Sequence, residues 1–551
     1  MEIKNLYEKV KKQNTKFIVV TGGVCSSLGK GILVSSIGVL LKNSGYSVSV
    51  IKLDPYLNVD PGTMSPLVHG EVFVTDDGAE TDLDLGHYER ILGSHLTKES
   101  SVSSGQIFQE VLNAERDGKY LGRDIQMIPD VVDAIKNRLI NFAIKYPKDF
   151  ILVEIGGTVG DIEGGVFLEA VRQLKLELEP NSVMLAHLSL VPYLEWAHEI
   201  KTKPTQHSVI LLKKSGLMPD ALFLRTDYKT NDKVKKKLSV MCGVKQEYIF
   251  DALTVNLIPK IFANLDTQNV NQLIQNWFGI KNIRKADLSE WENLIKLIEN
   301  KKKSIKIALI AKYVGSNDPY LSVVRAIETA ANFNNVGVTI EVIEAEKLEN
   351  ISKKEFEETF KNIDGIVVPG GFDKRGIEGK IACAKYAREN NIPYFGLCLG
   401  MQIMLIEFAR SVLKFKNASS TEFDKKTKYP VISMIEEQKN IDKKGGTMRL
   451  GVYTCSLIKN TRARDIYAQD AILERHRHRY EFNNKFKKEF EKNGVVFSGI
   501  YKKENLVEIA EIKNHKFMIG TQFHPEFLST LLKPHPLFKE FIRVIVENKN
   551  K

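Results

Sequence analysis

Two α/β domains in tandem, each built on a parallel sheet, are what this sequence predicts. Apolar, β-branched runs alternate with helical patterns in both halves, as in parallel sheets covered on both faces. The chain has 551 residues, too many for one hydrophobic core. Residues 281–303 are polar and charged and end in Lys301-Lys302-Lys303-Ser304, directly before a new buried-strand pattern, IKIALIAKY (305–313). They read as a linker with some helix.

In the first half, FIVVT (17–21) stops at Gly22-Gly23, a helix pattern runs from Lys30 to Asn43, and SVSVIKL (47–53) is the next strand. FILVEI (150–155), SVMLAHLSL (182–190) and ALFLR (221–225) follow. The second half offers VTIEVI (338–343), GIVVP (365–369), YFGL (394–397), LVEIAEI (506–512) and KFMIGTQ (516–522). Sites in such sheets lie beyond the carboxyl ends of the strands, so the residues just after each strand carry the information.

Composition narrows the function. Hydrophobic content of 43% and charged content of 27% are those of a soluble globular protein. Lys, Glu, His or Pro interrupts every apolar run before it could cross a bilayer, so no membrane is expected. MEIKNLYEKVKKQN reads as a short polar extension and not as a secretory signal. Cys25, Cys242, Cys383, Cys398 and Cys455 form no CxxC pair, which points away from disulfides and zinc and toward the cytoplasm. The net charge of +11 comes from dispersed, lysine-rich positions. A solvated surface explains it better than a nucleic-acid stripe, and nucleoside triphosphates would suit it equally.

YFGLCLGMQ (394–402) sets Cys398 between a buried strand and a helix, with glycine two residues to either side. This is the cysteine form of a nucleophile elbow. The helix N-terminus favours the thiolate. QFHPE (522–526) offers His524 as base and Glu526 to orient it, while Pro369-Gly370-Gly371 and Leu399 offer backbone N–H groups for an oxyanion. Each element follows a strand.

PGG, GLCLGMQ and QFHPE resemble the class I glutamine amidotransferase domain, which hydrolyses glutamine through a cysteine thioester. The resemblance implies a triad of Cys398, His524 and Glu526. It implies a glutamine site of Gly371, Leu399, Gly400, Met401, Gln402, Glu422 in ASSTEF and Arg479 in RHRHRYE. Glu422 suits the substrate ammonium and Arg479 its carboxylate. Asp373 stands where the family usually has glycine.

Gly22 to Gly31, GGVCSSLGKG, lies between the first strand and a helix, where backbone amides can cradle phosphate and Lys30 can reach the outer phosphates. It departs from the strict motif by one extra residue between Gly23 and Gly29, and by Gly31 where Ser or Thr would ligate magnesium. Carboxylates must then hold Mg²⁺, and Asp84 and Glu154 are the candidates.

The segments at 51–66, 69–90, 154–164 and 201–208 are dense in Gly, Asp, Thr and Lys. They resemble the synthase (amidoligase) domain of the CTP synthase family. Together with GGTMRLG (445–451), the resemblance covers nearly the whole chain after about residue 16. The fold it implies is a P-loop-like synthase domain (1–280), a linker (281–304) and a class I amidotransferase domain (305–551).

The resemblance assigns ATP to Ser27, Leu28, Gly29, Lys30, Gly31, Ile32, Lys52 and Asp84, with Val255 at the adenine. FDALTVNLIP (250–259) departs there from the family's usual D-V-D-S-I-Y. UTP and inhibitory CTP fall to Ser26, Asp161, Ile162, Glu163, Lys201, Thr202, Lys203, Pro204, Thr205, Gln206 and Lys237. Asp84 and Glu154 become the Mg²⁺ ligands, and His69 and Val72 line an ammonia passage. Cys25 replaces a usual valine and reads as a small apolar filler.

The implied activity is ATP-dependent amination of UTP to CTP with ammonia from glutamine, the last step of de novo CTP synthesis. GTP activation, for which the GGTMRLG loop and Arg449 are the motive, CTP inhibition, and a homotetramer (a dimer of dimers, with filaments in the family) come with it. Other readings fit less of the chain. KTKPTQ and LDPYLNVDPGTM argue against a cobyric acid synthase, a ParA-like partitioning ATPase explains the first half alone, and the complete triad argues against a non-catalytic assembly protein.

Overall fold

The computed structural model describes residues 3–65, 69–301, 303–312, 318–372, 374–434 and 448–549. Asp373, Tyr313 and residues 445–447 of the GGTMRLG loop lie outside them. The chain forms two compact units, Met1–Pro61 with His87–Ile295, and Gly62–Gly86 with Lys296–Lys551.

The first unit is built on a seven-stranded sheet of β1 (Lys16–Gly22), β2 (Val48–Asp54), β3 (Ser101–Ser103), β4 (Phe150–Ile155), β5 (Val183–Leu190), β6 (Ala221–Thr226) and β7 (Ile249–Leu253). The order is β7-β6-β5-β1-β4-β2-β3 and every pairing is parallel. Along β1 both faces are dry: Phe17 and Val19 join one core cluster, and Ile18 and Val20 on the other face are also fully buried. That explains the unbroken apolar runs, since a strand covered on both sides has no polar alternation.

The second unit contains a nine-stranded sheet of β8 (Ser304–Ala311), β9 (Gly337–Glu344), β10 (Gly365–Val368), β11 (Tyr394–Leu397), β12 (Arg449–Leu457), β13 (Ala471–His478), β14 (Val495–Tyr501), β15 (Leu506–Ile512) and β16 (Met518–Thr521). The order is β9-β8-β10-β11-β16-β15-β14-β12-β13. Pairing is parallel from β9 to β16 and antiparallel beyond. A wholly parallel sheet was the expectation for this half. The connection between β15 and β16 is too short for a crossover helix, so the chain turns back as a hairpin.

Residues 62–86, which the sequence division leaves in the first half, group with the second unit. Their short hairpin, Phe73–Val74 with Glu80–Thr81, is tied to it directly. The Val452 N–H donates to the Asp76 carbonyl at 2.9 Å, Arg475 Nε lies 2.6 Å from Asp76 Oδ1, and Arg477 Nη2 lies 2.8 Å from Glu80 Oε1. Among the described residues no helix is long and apolar enough to cross a membrane.

Candidate active site

Three neighbouring strands of the second sheet, β10, β11 and β16, deliver the thiol site at their carboxyl ends. Cys398 follows β11 at φ 50°, the left-handed strain of a nucleophile elbow. It caps a helix, Leu399–Ser411, and its N–H donates to the Thr521 carbonyl at 2.7 Å. The flanking glycines answer to close approach. A Cβ on Gly396 would lie 2.5 Å from the Gly400 carbonyl carbon and oxygen, and one on Gly400 would lie 2.1 Å from the Val368 oxygen.

His524 and Glu526 follow β16. Their side chains meet at 2.8 Å between Nδ1 and Oε1, and Cys398, His524 and Glu526 are all buried. His524 Nε2 has no hydrogen-bond partner among the described residues and is the atom left to meet the thiol. Burial disfavours the charged ring, but the charges of Glu526 and Cys398 outweigh it and lift His524 to about 10. The imidazole is therefore held protonated beside the sulfur.

A cavity of about 90 Å³ opens onto this group. Its walls include Glu71, Val72, Gly370, Gly371, Arg477 and Phe527, as well as Cys398, His524 and Glu526. The Pro369–Gly371 turn packs close, since a Cβ on Gly370 would lie 2.8 Å from His524 Cε1 and 3.7 Å from Cys398 Cβ. Gly371 stands beside Leu399, whose Cδ2 would lie 3.5 Å from an added Cβ. Among the glutamine candidates, Gln402 Nε2 donates to the Tyr480 carbonyl at 3.0 Å. The Tyr480 phenol is raised by burial and then by Glu422, with Arg479 opposing, which sets both charges near that ring. Gly400 and Met401 are buried in the first turn of the helix.

Three groups beside the thiol escaped the sequence reading. Gln522 Nε2 lies 3.6 Å from Cys398 Sγ, and its place directly before FHPE was the available signal. The Arg477 carbonyl lies 3.9 Å from the same sulfur. Lys380 is fully buried with no hydrogen-bond partner for its Nζ among the described residues. It lies 3.9 Å from where a Gly371 Cβ would stand. Nothing in the sequence marks it. Arg449 is also buried. Its Nη1 reaches Glu508 at 2.7 Å and Glu481 at 3.1 Å, and its guanidinium sits 4.2 Å from the Tyr453 ring centre and 4.5 Å from that of Tyr501.

In the first unit, β1 leads into the candidate phosphate-loop segment, and Gly29 (φ 97°) caps the helix Lys30–Asn43, which contains Gly31 and Ile32. Ser26 and Ser27 are exposed and Leu28 is buried. Cys25 is exposed as well, so the filler reading fails; it lies between Val24 and Ser27, both at positive φ. Lys30 Nζ donates to the Gly157 carbonyl at 2.7 Å.

On neighbouring strands Lys52 and Glu154 are register partners. Lys52 pairs with Asp54 at 3.0 Å, and Glu154 is buried and accepts from the Tyr88 hydroxyl. Asp84 opens the helix Leu83–Leu92 in its first turn.

Asp161, Ile162 and Glu163 are exposed, as are Lys203 and Lys237. Lys201 pairs with Glu199 at 2.8 Å. Thr202, Thr205 and Gln206 turn inward, with Gln206 Nε2 donating to Thr202 at 3.0 Å and Thr205 to the Leu190 carbonyl at 2.9 Å. Pro204 sits in the first turn of the helix Lys203–Lys214, and Val255 is half-buried just past β7.

A thiol elbow in one α/β unit and a lysine-bearing glycine loop in the other place the chain among glutamine-dependent ligases. Residues 16–280 match the family model described as CTP synthase N-terminus, and residues 317–544 match that of glutamine amidotransferase class-I. The chain is 49% identical over 542 residues to the CTP synthase of Phytoplasma australiense, covering 98% of each chain. It is 49% identical over 536 residues to that of Aquifex aeolicus, covering 97% of this chain and 99% of that one. A solved Trypanosoma brucei CTPS glutaminase domain with bound acivicin is 35% identical, covering 44% of this chain and 94% of that one at a TM-score of 0.42. The chain belongs to the CTP synthase family.

Proposed function

We propose that the protein converts UTP, ATP, glutamine and water to CTP, ADP, phosphate and glutamate, with Cys398 releasing the ammonia. The seat of Cys398 carries the reading: a strained elbow at a helix N-terminus, buried beside an imidazole that Glu526 orients at 2.8 Å. Thiolate attack on the glutamine amide would give a tetrahedral oxyanion held by the N–H groups of Gly371 and Leu399. The protonated His524 would then hand its proton to the leaving ammonia, and water would hydrolyse the thioester. Gln402, Glu422 and Arg479 would hold the rest of the substrate.

In the synthase half (residues 1–280), the C4 oxygen of uracil leaves poorly until ATP phosphorylates it. Ser27 to Ile32 and Lys52 would hold and orient ATP, and Lys30 would meet charge on the transferring phosphoryl. Ser26, Asp161 to Glu163, Lys201 to Gln206 and Lys237 would hold UTP or inhibitory CTP. Val255 would contact adenine. Glu154, a buried carboxylate paired in register with Lys52 on the neighbouring strand, has the donor chemistry of a hard-cation site and with Asp84 is proposed to hold Mg²⁺. Bound Mg²⁺ would supply charge neutralisation to the triphosphate. Ammonia would add at C4 and phosphate would depart.

Residues 281–304 as linker, 305–551 as amidotransferase domain, GTP activation, CTP inhibition, a homotetramer and a cytoplasmic location complete the proposal. The whole enzyme given UTP, ATP, Mg²⁺ and ammonium chloride should form CTP and phosphate in equal amounts. ATP hydrolysis that ignores UTP would overturn it.

A further inference from the structure

Beyond these assignments, the first unit buries a histidine that bridges the elements carrying the proposed nucleotide-binding residues. His187 on β5 is 0% exposed. Its Nδ1 lies 2.9 Å from Thr21 Oγ1, near the end of β1 where the phosphate loop begins. Its Nε2 lies 2.7 Å from Ser208 Oγ, on the helix Lys203–Lys214. A neutral imidazole donates from one nitrogen and accepts at the other, and a hydroxyl can answer either. Burial first, and then the nearby charge of Lys30, lowers the ring to about 4, so it is neutral near pH 7.

The bridge also explains a glycine. A Cβ on Gly23 would lie 1.6 Å from Ser208 Oγ and 3.1 Å from His187 Nε2. Ser208 thus occupies the space that any side chain at 23 would need. On the neighbouring residue, a Cβ at Gly22 would meet Lys30 at 2.7 Å. The entry of the phosphate loop is gripped by Lys30 at one glycine and by the His187–Ser208 pair at the next.

We infer that His187 is a positioning residue that locks the phosphate loop to the helix bearing Lys203 to Gln206, so that ATP and the pyrimidine nucleotide are held in one register. The inference rests on the nucleotide assignments proposed above. A hydroxyl–imidazole–hydroxyl bridge spanning two elements is fully satisfied, and a buried polar group of this kind pins geometry because any slip leaves a donor or acceptor unpaired.

The test is steady-state kinetics of the whole enzyme with ammonium chloride as nitrogen source, which bypasses glutamine hydrolysis. His187→Asn, Ser208→Ala and the double variant are compared, with Ser208→Ala the milder change if His187→Asn folds poorly. The KM values for ATP and UTP should rise together, roughly tenfold for His187→Asn and less for Ser208→Ala. The double variant should be no worse than His187→Asn, because both substitutions cut one bridge. A lower melting temperature with both KM values unchanged would mean a packing role and overturn the inference, as would additive effects. A wild type that makes no CTP would overturn the reading beneath it, and this inference with it.

Discussion

Arg475 Nε lies 2.6 Å from Asp76 Oδ1, and the carbonyl of the same arginine accepts the His524 N–H at 2.8 Å. One residue of β13 thus grips the hairpin of residues 73–81 and holds the base of the proposed triad. The strand alternates by function: Arg475 and Arg477 pair with Asp76 and Glu80, while His476 and His478 are buried beside Glu508 and Glu481. Arg475→Met removes the grip and keeps the bulk. It should cost about 1–3 kcal/mol of stability and lower the glutamine-driven rate more than the ammonia-driven rate. Equal loss from both nitrogen sources would show that the grip does not serve the thiol site.

Val72 shares the cavity of about 90 Å³ with Cys398 and His524. A phenylalanine there would fill much of so small a space. Val72→Phe should lower glutamine-dependent CTP formation by roughly tenfold or more and leave ammonia-dependent formation near wild type. Parallel assays with the two nitrogen sources decide it.

Lys380 gives a pH-dependent prediction. Burial, then the neighbouring Lys312, lowers its ammonium to about 7, with Cys383 and Cys398 opposing. An ordinary lysine titrates near 10.5. Below pH 7 the folded state carries the full cost of a buried charge, and above 10.5 neither state carries it. Lys380→Met should therefore stabilise the protein by up to a few kcal/mol at pH 6, with the gain shrinking as pH rises to 10. Thermal melts across that range check it, and a gain that grows with pH would contradict it.

Much of this was legible in the sequence because chemistry sits at strand ends. GIVVP, YFGL and KFMIGTQ are plain as strands, and PGG, Cys398 and His524 follow them. What the residues alone do not state is that β10, β11 and β16 are sheet neighbours, since chain order separates β16 from β11 by about 120 positions. The antiparallel half of the sheet was missed because a short connection looks alike before and after its partner is known. Residues 62–86 group with the second unit through ion pairs to a strand some 400 positions away, a relationship that chain order does not display. His187 in AHLSL is indistinguishable from a core residue until Thr21 and Ser208 are brought to it. Lys380 reads as any surface lysine in a helix.

The central claim is that one thiol supplies nitrogen to a separate ATP- and UTP-using site. The most direct measurement is CTP formation by wild type and Cys398→Ala with UTP, ATP, Mg²⁺ and GTP, once with glutamine and once with ammonium chloride. The variant should lose glutamine-driven synthesis by at least about a thousandfold and keep ammonia-driven synthesis near wild type. A Cys398→Ala enzyme that still uses glutamine, or that fails equally with ammonia, would contradict it.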